Sequence, residues 1–438
     1  MKYERIFALC DLQCGGDAVH LLLHSGGHLF ISNALGATGL TALNLAIPIY
    51  SVIHGVGLLL GIGGATHFTL QQSRGDREGA NAVFTHTMLL WAVCSLFFEL
   101  FGVFGSDALT RWMEADSAVW DMTWIYLRVL LLNAPIFLLN DILLCFVRND
   151  GAPRRATTGM VSGSFGNILL DYLMIYPLRM GMLGAVVATS LAPFISIACL
   201  LGHLCSQRRT FRLKHTPLHP HFWRQIVGTG LYSMVTELSS AVVIIVFNAI
   251  ILRLMGNIGV AAYGVVANLS LVVVAIYTGV AQGIQPLVSR SCGLGRPVET
   301  RRTLRRAILT ALVLSVVLYG GAFLAAEAIT AVFNSQHDPL LQRTAVEGLR
   351  IYFAACPFLG CNIVLSGFFS ASDRPVPAGV LSLLRGFVVI LPLAVLLSAW
   401  GGMAGLWAVF PATEALVFLI AVGLLCLTKN RLHPQRKL

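Results

Sequence analysis

The sequence predicts an all-α polytopic membrane protein, with twelve transmembrane helices in two pseudo-symmetric six-helix lobes. Its 438 residues are 56% hydrophobic and only 11% charged, and the mean hydropathy is +0.78. Soluble domains of this size do not have such a composition. A second observation is an internal repeat with a period near 220 residues, which predicts two similar halves.

Apolar stretches long enough to cross a bilayer recur along the whole chain. They predict helices at 8–31, 40–69, 83–105, 122–147, 157–177, 181–206, 225–255, 258–289, 306–334, 346–371, 376–399 and 402–427.

The loops indicate how these helices are oriented. Loops after even-numbered helices are basic, with Arg74 and Arg77 in the first and Arg208, Arg209, Arg212 and Lys214 in the third. The loop after the third helix is acidic, with Asp107, Glu114, Asp116 and Asp121. Basic residues favour the cytoplasmic side. We therefore expect a multi-pass inner-membrane protein with both termini in the cytoplasm. These loops account for the net charge of +10, which leaves nothing to indicate nucleic-acid binding.

The first predicted helix is unusually polar. His20, His24 and His28 are spaced by four residues, so they share one helical face that could serve as a metal or proton-relay site. Nothing nearby completes a ligand set, and we expect no metal site here. A helix of this composition is also typical of a segment that faces a wet cavity.

The repeat defines the predicted domain organisation. Matched positions are Gly36 with Gly256, Gly57 with Gly279, Asn140 with Asn362, and Gly181 with Gly402. Six helices per half is an even number, so both halves have the same orientation. Two lobes with a substrate path between them are typical of secondary transporters. The predicted domains are an N-terminal lobe at 1–206, a basic cytoplasmic linker at 207–224 and a C-terminal lobe at 225–438.

Two adjacent helices carry oxygen-bearing side chains at matching intervals. Asn167 and Asp171 are four residues apart on the fifth helix, and Ala185 and Thr189 repeat that interval on the sixth. A carboxylate within the membrane costs about 2.5–3.5 kcal/mol on insertion scales. The cluster therefore suits a hard cation or a proton. Hydrogen bonding between the two helices is the alternative interpretation.

Three further carboxylates lie within apolar helices. Asp141, Glu237 and Glu414 are candidates for substrate binding or coupling if they face a cavity, and solvated helix ends are the alternative. Arg385 suits pairing with a carboxylate or with a lipid phosphate.

Four segments resemble the signature segments of the multidrug and toxic compound extrusion (MATE) family, in their usual order. They are FISNALGATGLTALNLAIPI, YLRVLLLNAPIFLLNDILLCFVRNDGAP, GNILLDYLMIYPLRMGMLGAVVAT and GVAQGIQPLVSRSCGLG. The resemblance covers almost the whole chain. It implies a cation-coupled antiporter that exports amphipathic, often cationic compounds by alternating access.

The resemblance also implies a set of cation ligands. Asn167, Asp171, Thr189 and the Ala185 carbonyl occupy the positions of the family's sodium ligands, with the spacing intact. The family adds an Asp on the first helix, where this chain has Gly27. A single carboxylate should hold sodium weakly, whereas a proton needs one acceptor. We therefore expect proton coupling, with sodium as the alternative.

The expected partners are small amphipathic substrates, the coupling cation and the lipid bilayer, for a monomer without enzymatic activity or a cofactor. No phosphate-cradling loop is present, so direct use of ATP is not expected. Three alternatives stay open. A lipid-linked oligosaccharide flippase should line its cavity with several Arg or Lys residues, and the inner helices show few. A channel needs no paired lobes, and a transport-impaired relative would fit the altered first helix.

Overall fold

A computed structural model describes residues 2–113, 117, 119–207, 209–334 and 338–428. The side chains of residues 2–33, 36, 37, 40, 44, 241 and 257 lie outside this description. The predicted histidine face and Gly27 are among these undescribed positions. All regular elements of the described residues are helices, which confirms the predicted fold class.

The chain forms two compact units, Met1–Leu238 and Ser239–Leu438. The boundary falls inside a long helix, whereas the predicted linker at 207–224 lies wholly in the first unit. The predicted lobes are defined by the repeat and not by contacts, so their bounds stay a prediction.

The first unit begins with α1 (Lys2–Ser73), which covers both of the first two predicted helices. The helices that follow are α2 (Arg77–Phe104), α3 (Ser106–Trp112), α4 (Trp120–Leu132), α5 (Ala134–Asn149), α6 (Pro153–Ile175), α7 (Gly181–Leu204) and the start of α8 (Pro220–Gly293).

The fourth predicted helix, 122–147, is two helices in the structure. α4 and α5 meet at Asn133 with a bend of 50°. Pro135 explains the bend, because it has no N–H group to donate to the carbonyl of Leu131 and its ring crowds that carbonyl.

The second unit contains the rest of α8, which has a non-helical break at Gly256. Its other helices are α9 (Pro297–Leu324), α10 (Ala326–Phe333), α11 (Pro339–Tyr352), α12 (Cys356–Ala371), α13 (Pro375–Leu383) and α14 (Ile390–Thr428). A short π-helix, Leu384–Val388, joins α13 to α14.

Eight helical segments of the described residues are long and apolar enough to cross a membrane, and nine if the bent pair of α4 and α5 counts as one span. α6 is not among them, since its first half, PRRATTGMVSGS, is polar. α13 and α14 count as one segment, although α14 breaks at Gly402 between the last two predicted helices. These differences, together with the undescribed side chains of the first predicted helix, separate this number from twelve.

Residues with positive φ angles occur at matching positions in the two units. The left-handed pairs are Gly75 with Gly295, Gly151 with Asp373, and Gly181 with Gly402, each 220–222 residues apart. Gly181 and Gly402 have φ values of 58° and 55° at the same place in their halves, a conformation that favours glycine. The two halves therefore share local geometry as well as sequence.

A strap, residues 209–219, crosses the ends of α1, α2 and α5 and is held by both its backbone and one ring. Phe211 is only 1% exposed, and its ring packs against Phe68, Phe84 and Phe146 at centroid distances of 6.0, 4.8 and 5.7 Å. Backbone N–H groups of the strap donate to side chains of these helices. The N–H of Arg212, for example, donates to Asn81 Oδ1 at 2.8 Å. The predicted linker is thus a packed part of the first unit.

We expect Phe211→Ala to destabilise the protein by about 3–5 kcal/mol, because it removes a buried aromatic ring and leaves a cavity. Leu213→Ala is the matched control, since Leu213 is 67% exposed in the same strap and its loss should cost less than about 0.5 kcal/mol. Denaturant unfolding of the detergent-solubilised protein measures both. Equal effects would contradict the packing role of Phe211.

Candidate functional site

The predicted cation ligands lie on two helices that pack against each other in the first unit. α6 supplies Asn167 and Asp171, and α7 supplies Ala185 and Thr189. Asp171 is 2% exposed and Ala185 is 1% exposed. The Thr189 hydroxyl donates to the Ala185 carbonyl at 3.0 Å, so the threonine oxygen can still accept a hydrogen bond or contact a cation.

Two polar atoms of this cluster have no hydrogen-bond partner among the described residues. They are Asp171 Oδ1 and Asn167 Nδ2, and both are buried. An unpaired buried carboxylate oxygen costs several kcal/mol unless a proton, a cation or water satisfies it. Hydrogen bonding between helices, the alternative interpretation, would have left these atoms paired. The arrangement is therefore chemically suited to a proton or a hard cation.

Tyr126 of α4 joins this cluster and is absent from the predicted set. Its hydroxyl makes a side-chain hydrogen bond with Thr189, and it interacts electrostatically with Asp171. Tyr126 is 6% exposed. The sequence signal for it is weak, because a tyrosine in an apolar helix is more often a packing residue.

Glycines bring the first part of α8 unusually close to α1. A Cβ atom at Gly63 would lie 2.0 Å from the Ile226 carbonyl oxygen, and one at Gly230 would lie 1.9 Å from that of Leu59. Such backbone contact is possible only without side chains at these positions. The same antiparallel register places Glu237 next to Gly55, with 3.7 Å between its Cβ and a Cβ built on the glycine.

Asp141 forms a hydrogen-bonded pair with His54 that the sequence did not predict. His54 Nδ1 lies 2.9 Å from Asp141 Oδ2, and the two side chains are 30% and 8% exposed. Tyr50 stacks on the His54 ring, with 6.1 Å between centroids and planes 9° apart. Glu237 interacts electrostatically with both His54 and Tyr50. Two of the three predicted coupling carboxylates are therefore together in the first unit.

Glu414, the third of these carboxylates, is fully paired within the second unit. Arg385 Nε donates to Glu414 Oε1 at 2.7 Å, and Asn362 Nδ2 donates to Oε2 at 2.7 Å. Glu414 is 0% exposed, so it is not a solvated helix end. Of the two partners predicted for Arg385, the structure places the carboxylate beside it. Arg385 lies in the π-helix, a local widening that often marks functional sites.

The chain matches the family model of MatE over residues 28–173 and 233–396. The multidrug export protein MepA of Staphylococcus saprophyticus is 23% identical over 400 residues, which are 91% of this chain and 87% of that protein. MepA of Staphylococcus aureus is 22% identical over 396 residues, or 90% of this chain and 86% of that protein.

Solved structures of transporters have the same fold. An outward-facing multidrug resistance MATE family transporter of the MOP superfamily matches with a TM-score of 0.92 and 21% identity, over 98% of this chain and 96% of that one. A MOP superfamily transporter from Pyrococcus furiosus matches with a TM-score of 0.90 and 22% identity, over the same shares. At these identities the matches establish the fold.

We expect Arg385→Met to destabilise the protein by about 3–5 kcal/mol, because it leaves the Glu414 carboxylate buried without its cation. The double variant Arg385→Met/Glu414→Gln should recover most of this loss. Arg296→Met is the control, since its pair with Glu299 is exposed and contributes at most about 1 kcal/mol. Unfolding in detergent measures all three, and a double variant no more stable than Arg385→Met would refute the pairing.

Proposed function

This chain belongs to the MATE family of transporters, and we propose that it exports amphipathic, often cationic drugs or toxic compounds in exchange for a proton or a sodium ion. The observation that carries the proposal is the buried, unpaired Oδ1 of Asp171, next to Asn167 and Thr189. A buried carboxylate oxygen without a protein partner is available to a proton or a cation, and such a group is what coupling requires.

The energy of one coupling ion is sufficient for useful export. A single charge that crosses the membrane potential gains about 2.3 kcal/mol per 100 mV. Typical coupling energies between two sites are about 1–3 kcal/mol. One proton or sodium ion per cycle can therefore drive a neutral substrate against a gradient of more than tenfold. Exchange for a monovalent cationic substrate moves no net charge, so in that case the concentration gradient of the ion supplies the energy.

In the proposed cycle, the two lobes rock to expose the substrate path to one side of the membrane at a time. A cation from outside binds Asp171, with the oxygens of Asn167, Thr189 and Ala185 as further ligands, and favours the return to the inward-open state. The substrate then binds between the lobes and leaves outside. We further propose that the protein is a monomer in the inner membrane with both termini in the cytoplasm, as the distribution of basic loops indicates.

The coupling roles of the other carboxylates differ in their support. Asp141 and Glu237 can still be reached by a cation from outside the protein interior. Glu237 is only partly buried, and Asp141 is bonded to His54, whose side chain is 30% exposed. They remain our candidates for cation recognition. Glu414 is the third sequence candidate, but its full burial and its pairing with Arg385 and Asn362 support a structural role.

We expect Asp171→Asn to reduce cation-driven export to background while the folded protein stays in the membrane. The amide keeps the size of the side chain, but it does not take up a proton near neutral pH and has no charge to neutralise a cation. Dye efflux from vesicles under an imposed ion gradient is the measurement. Asp121→Asn, which alters an exposed carboxylate, should retain wild-type efflux. Undiminished efflux by Asp171→Asn would remove Asp171 from the mechanism.

The missing first-helix carboxylate leads to a prediction about the coupling ion. With Gly27 in place of the family's Asp, we expect the wild type to run on a proton gradient, and Gly27→Asp to shift it toward sodium. Reconstituted vesicles with separately imposed proton and sodium gradients provide the test. Sodium-driven transport that is insensitive to pH would refute proton coupling. No transport under either gradient would instead support the transport-impaired alternative.

A further inference from the structure

A cavity of about 420 Å³ lies between the strap and the helices that the strap crosses in the first unit. Phe84 of α2, Leu143 of α5 and Leu204 of α7 line it on the helix side. The residues proposed above for coupling are not among those that line it. Its volume falls within the range of about 300–1,000 Å³ that is usual for small-molecule sites. The cavity is therefore large enough to hold a ligand of its own.

The strap brings two positive charges to this cavity. Both Arg209 and Arg212 line it. The Arg209 guanidinium lies over the ring of Phe211, with 5.8 Å to the ring centroid, so its position is defined by a buried side chain. The backbone N–H of Arg212 donates to Asn81, which fixes the strap at this point without using the guanidinium. Both charged groups are thus held at the cavity by contacts that leave their N–H donors available.

The carboxylates at this end of the first unit are engaged elsewhere. The chain around the ends of α1, α5 and α7 has three of them, Asp76, Glu78 and Asp150. Asp76 caps the first turn of α2. Glu78 pairs with Lys214 at 2.6 Å, and Asp150 bonds His203 at 2.9 Å. No carboxylate of the described residues pairs with either arginine of the cavity, so the charge of a bound ligand must be negative to complement it.

The apolar part of the lining favours a lipid over a water-soluble anion. Leu213 lines the cavity and is 67% exposed. On α7, Leu201 is 49% exposed and lies one turn before Leu204, on the same face of the helix. Exposed leucines on an apolar helix of a membrane protein contact acyl chains. Acyl chains that run along α7 therefore reach the cavity, whereas a free phosphate would gain nothing from its leucines.

We propose that this cavity binds the phosphate group of an anionic phospholipid, with Arg209 and Arg212 on the phosphate and the acyl chains beside Leu204 and Leu213. The basic loops predict that this end faces the cytoplasmic leaflet, where anionic lipids attract basic residues near the membrane. The site is separate from the proposed export of cations, because its two arginines repel a cationic substrate. A lipid bound here contacts both the strap and α7, so it braces the strap against the helices.

The test titrates the purified full-length protein in detergent with dioleoylphosphatidylglycerol and follows the bound lipid by native mass spectrometry. Dioleoylphosphatidylcholine is the reference, since it has the same acyl chains and no net charge. We expect the tightest phosphatidylglycerol to bind roughly tenfold more tightly than phosphatidylcholine. Glycerol 3-phosphate, which has the phosphate but no acyl chain, should not displace it at the same concentration.

Two double variants separate the cavity from the general positive charge of this end. Each arginine beside an anionic head group should contribute roughly fivefold to affinity, so Arg209→Gln/Arg212→Gln should raise the dissociation constant roughly 25-fold. Arg77→Gln/Arg154→Gln is the matched control. It removes two exposed arginines from the same end that do not line the cavity, and it should change the constant by less than roughly threefold.

Thermal melting supplies a second measurement and reports whether each variant is folded. Phosphatidylglycerol should raise the melting temperature of the wild type and of the control, but not that of Arg209→Gln/Arg212→Gln. If that double variant does not fold, Arg212→Gln alone tests the site, because Arg212 is exposed and only its charge is removed. Its dissociation constant should rise roughly fivefold.

Three results would each overturn the proposal. Equal losses in the two double variants would mean that the lipid is attracted by the whole basic end and not by the cavity. Displacement by glycerol 3-phosphate would indicate a site for a free anion. Equal binding of the two lipids would leave only apolar contact. Because none of these measurements needs an ion gradient, they are independent of whether the protein exports drugs.

Discussion

The cost of leaving a carboxylate uncompensated inside a membrane is the constraint on which the polar structure of this protein depends. Two of the buried carboxylates are compensated by a partner side chain, and one is not. Asp141 is paired with His54, and Glu414 with both Arg385 and Asn362. Asp171 retains a buried oxygen without a partner among the described residues. Its arrangement differs from those of Asp141 and Glu414, which have partners at 2.9 and 2.7 Å.

The two units therefore differ in chemistry although they share a backbone pattern. At the repeat shift of 221 residues, Arg385 corresponds to Ser164 and Glu414 to Pro193, so the first half lacks the fixed pair. Conversely, Asn167 and Asp171 correspond to the apolar Val388 and Pro392. Each half thus holds charges that the other lacks. The buried pair of the second half has no net charge, whereas the first half retains a buried acid that can change its charge.

Local spacing explains which parts of this structure could be predicted. The fold class follows from composition, and the four-residue interval from Asn167 to Asp171 is a property of one helix. The matched glycines of the repeat can likewise be found in the sequence alone. The His54–Asp141 pair joins residues 87 apart, and its existence depends on how α1 and α5 are rotated toward each other. Hydropathy does not encode that rotation. Phe211 shows a related limit, since charge marked its segment as a linker while a single aromatic residue in it forms part of the core.

The close backbone contact between α1 and the beginning of α8 has a consequence for how the gene could be divided. A cut at the basic segment after α7 would separate the first fragment from the helix whose Ile226 and Gly230 lie against its own Gly63 and Leu59. The exposed groove left on α1 would invite aggregation or mispairing. Co-expressed fragments should therefore reassemble poorly when split there, despite the tandem duplication. Recombination between paralogues faces the same restriction. An exchangeable first half must include the beginning of α8 as well as α1–α7, because that segment packs against α1.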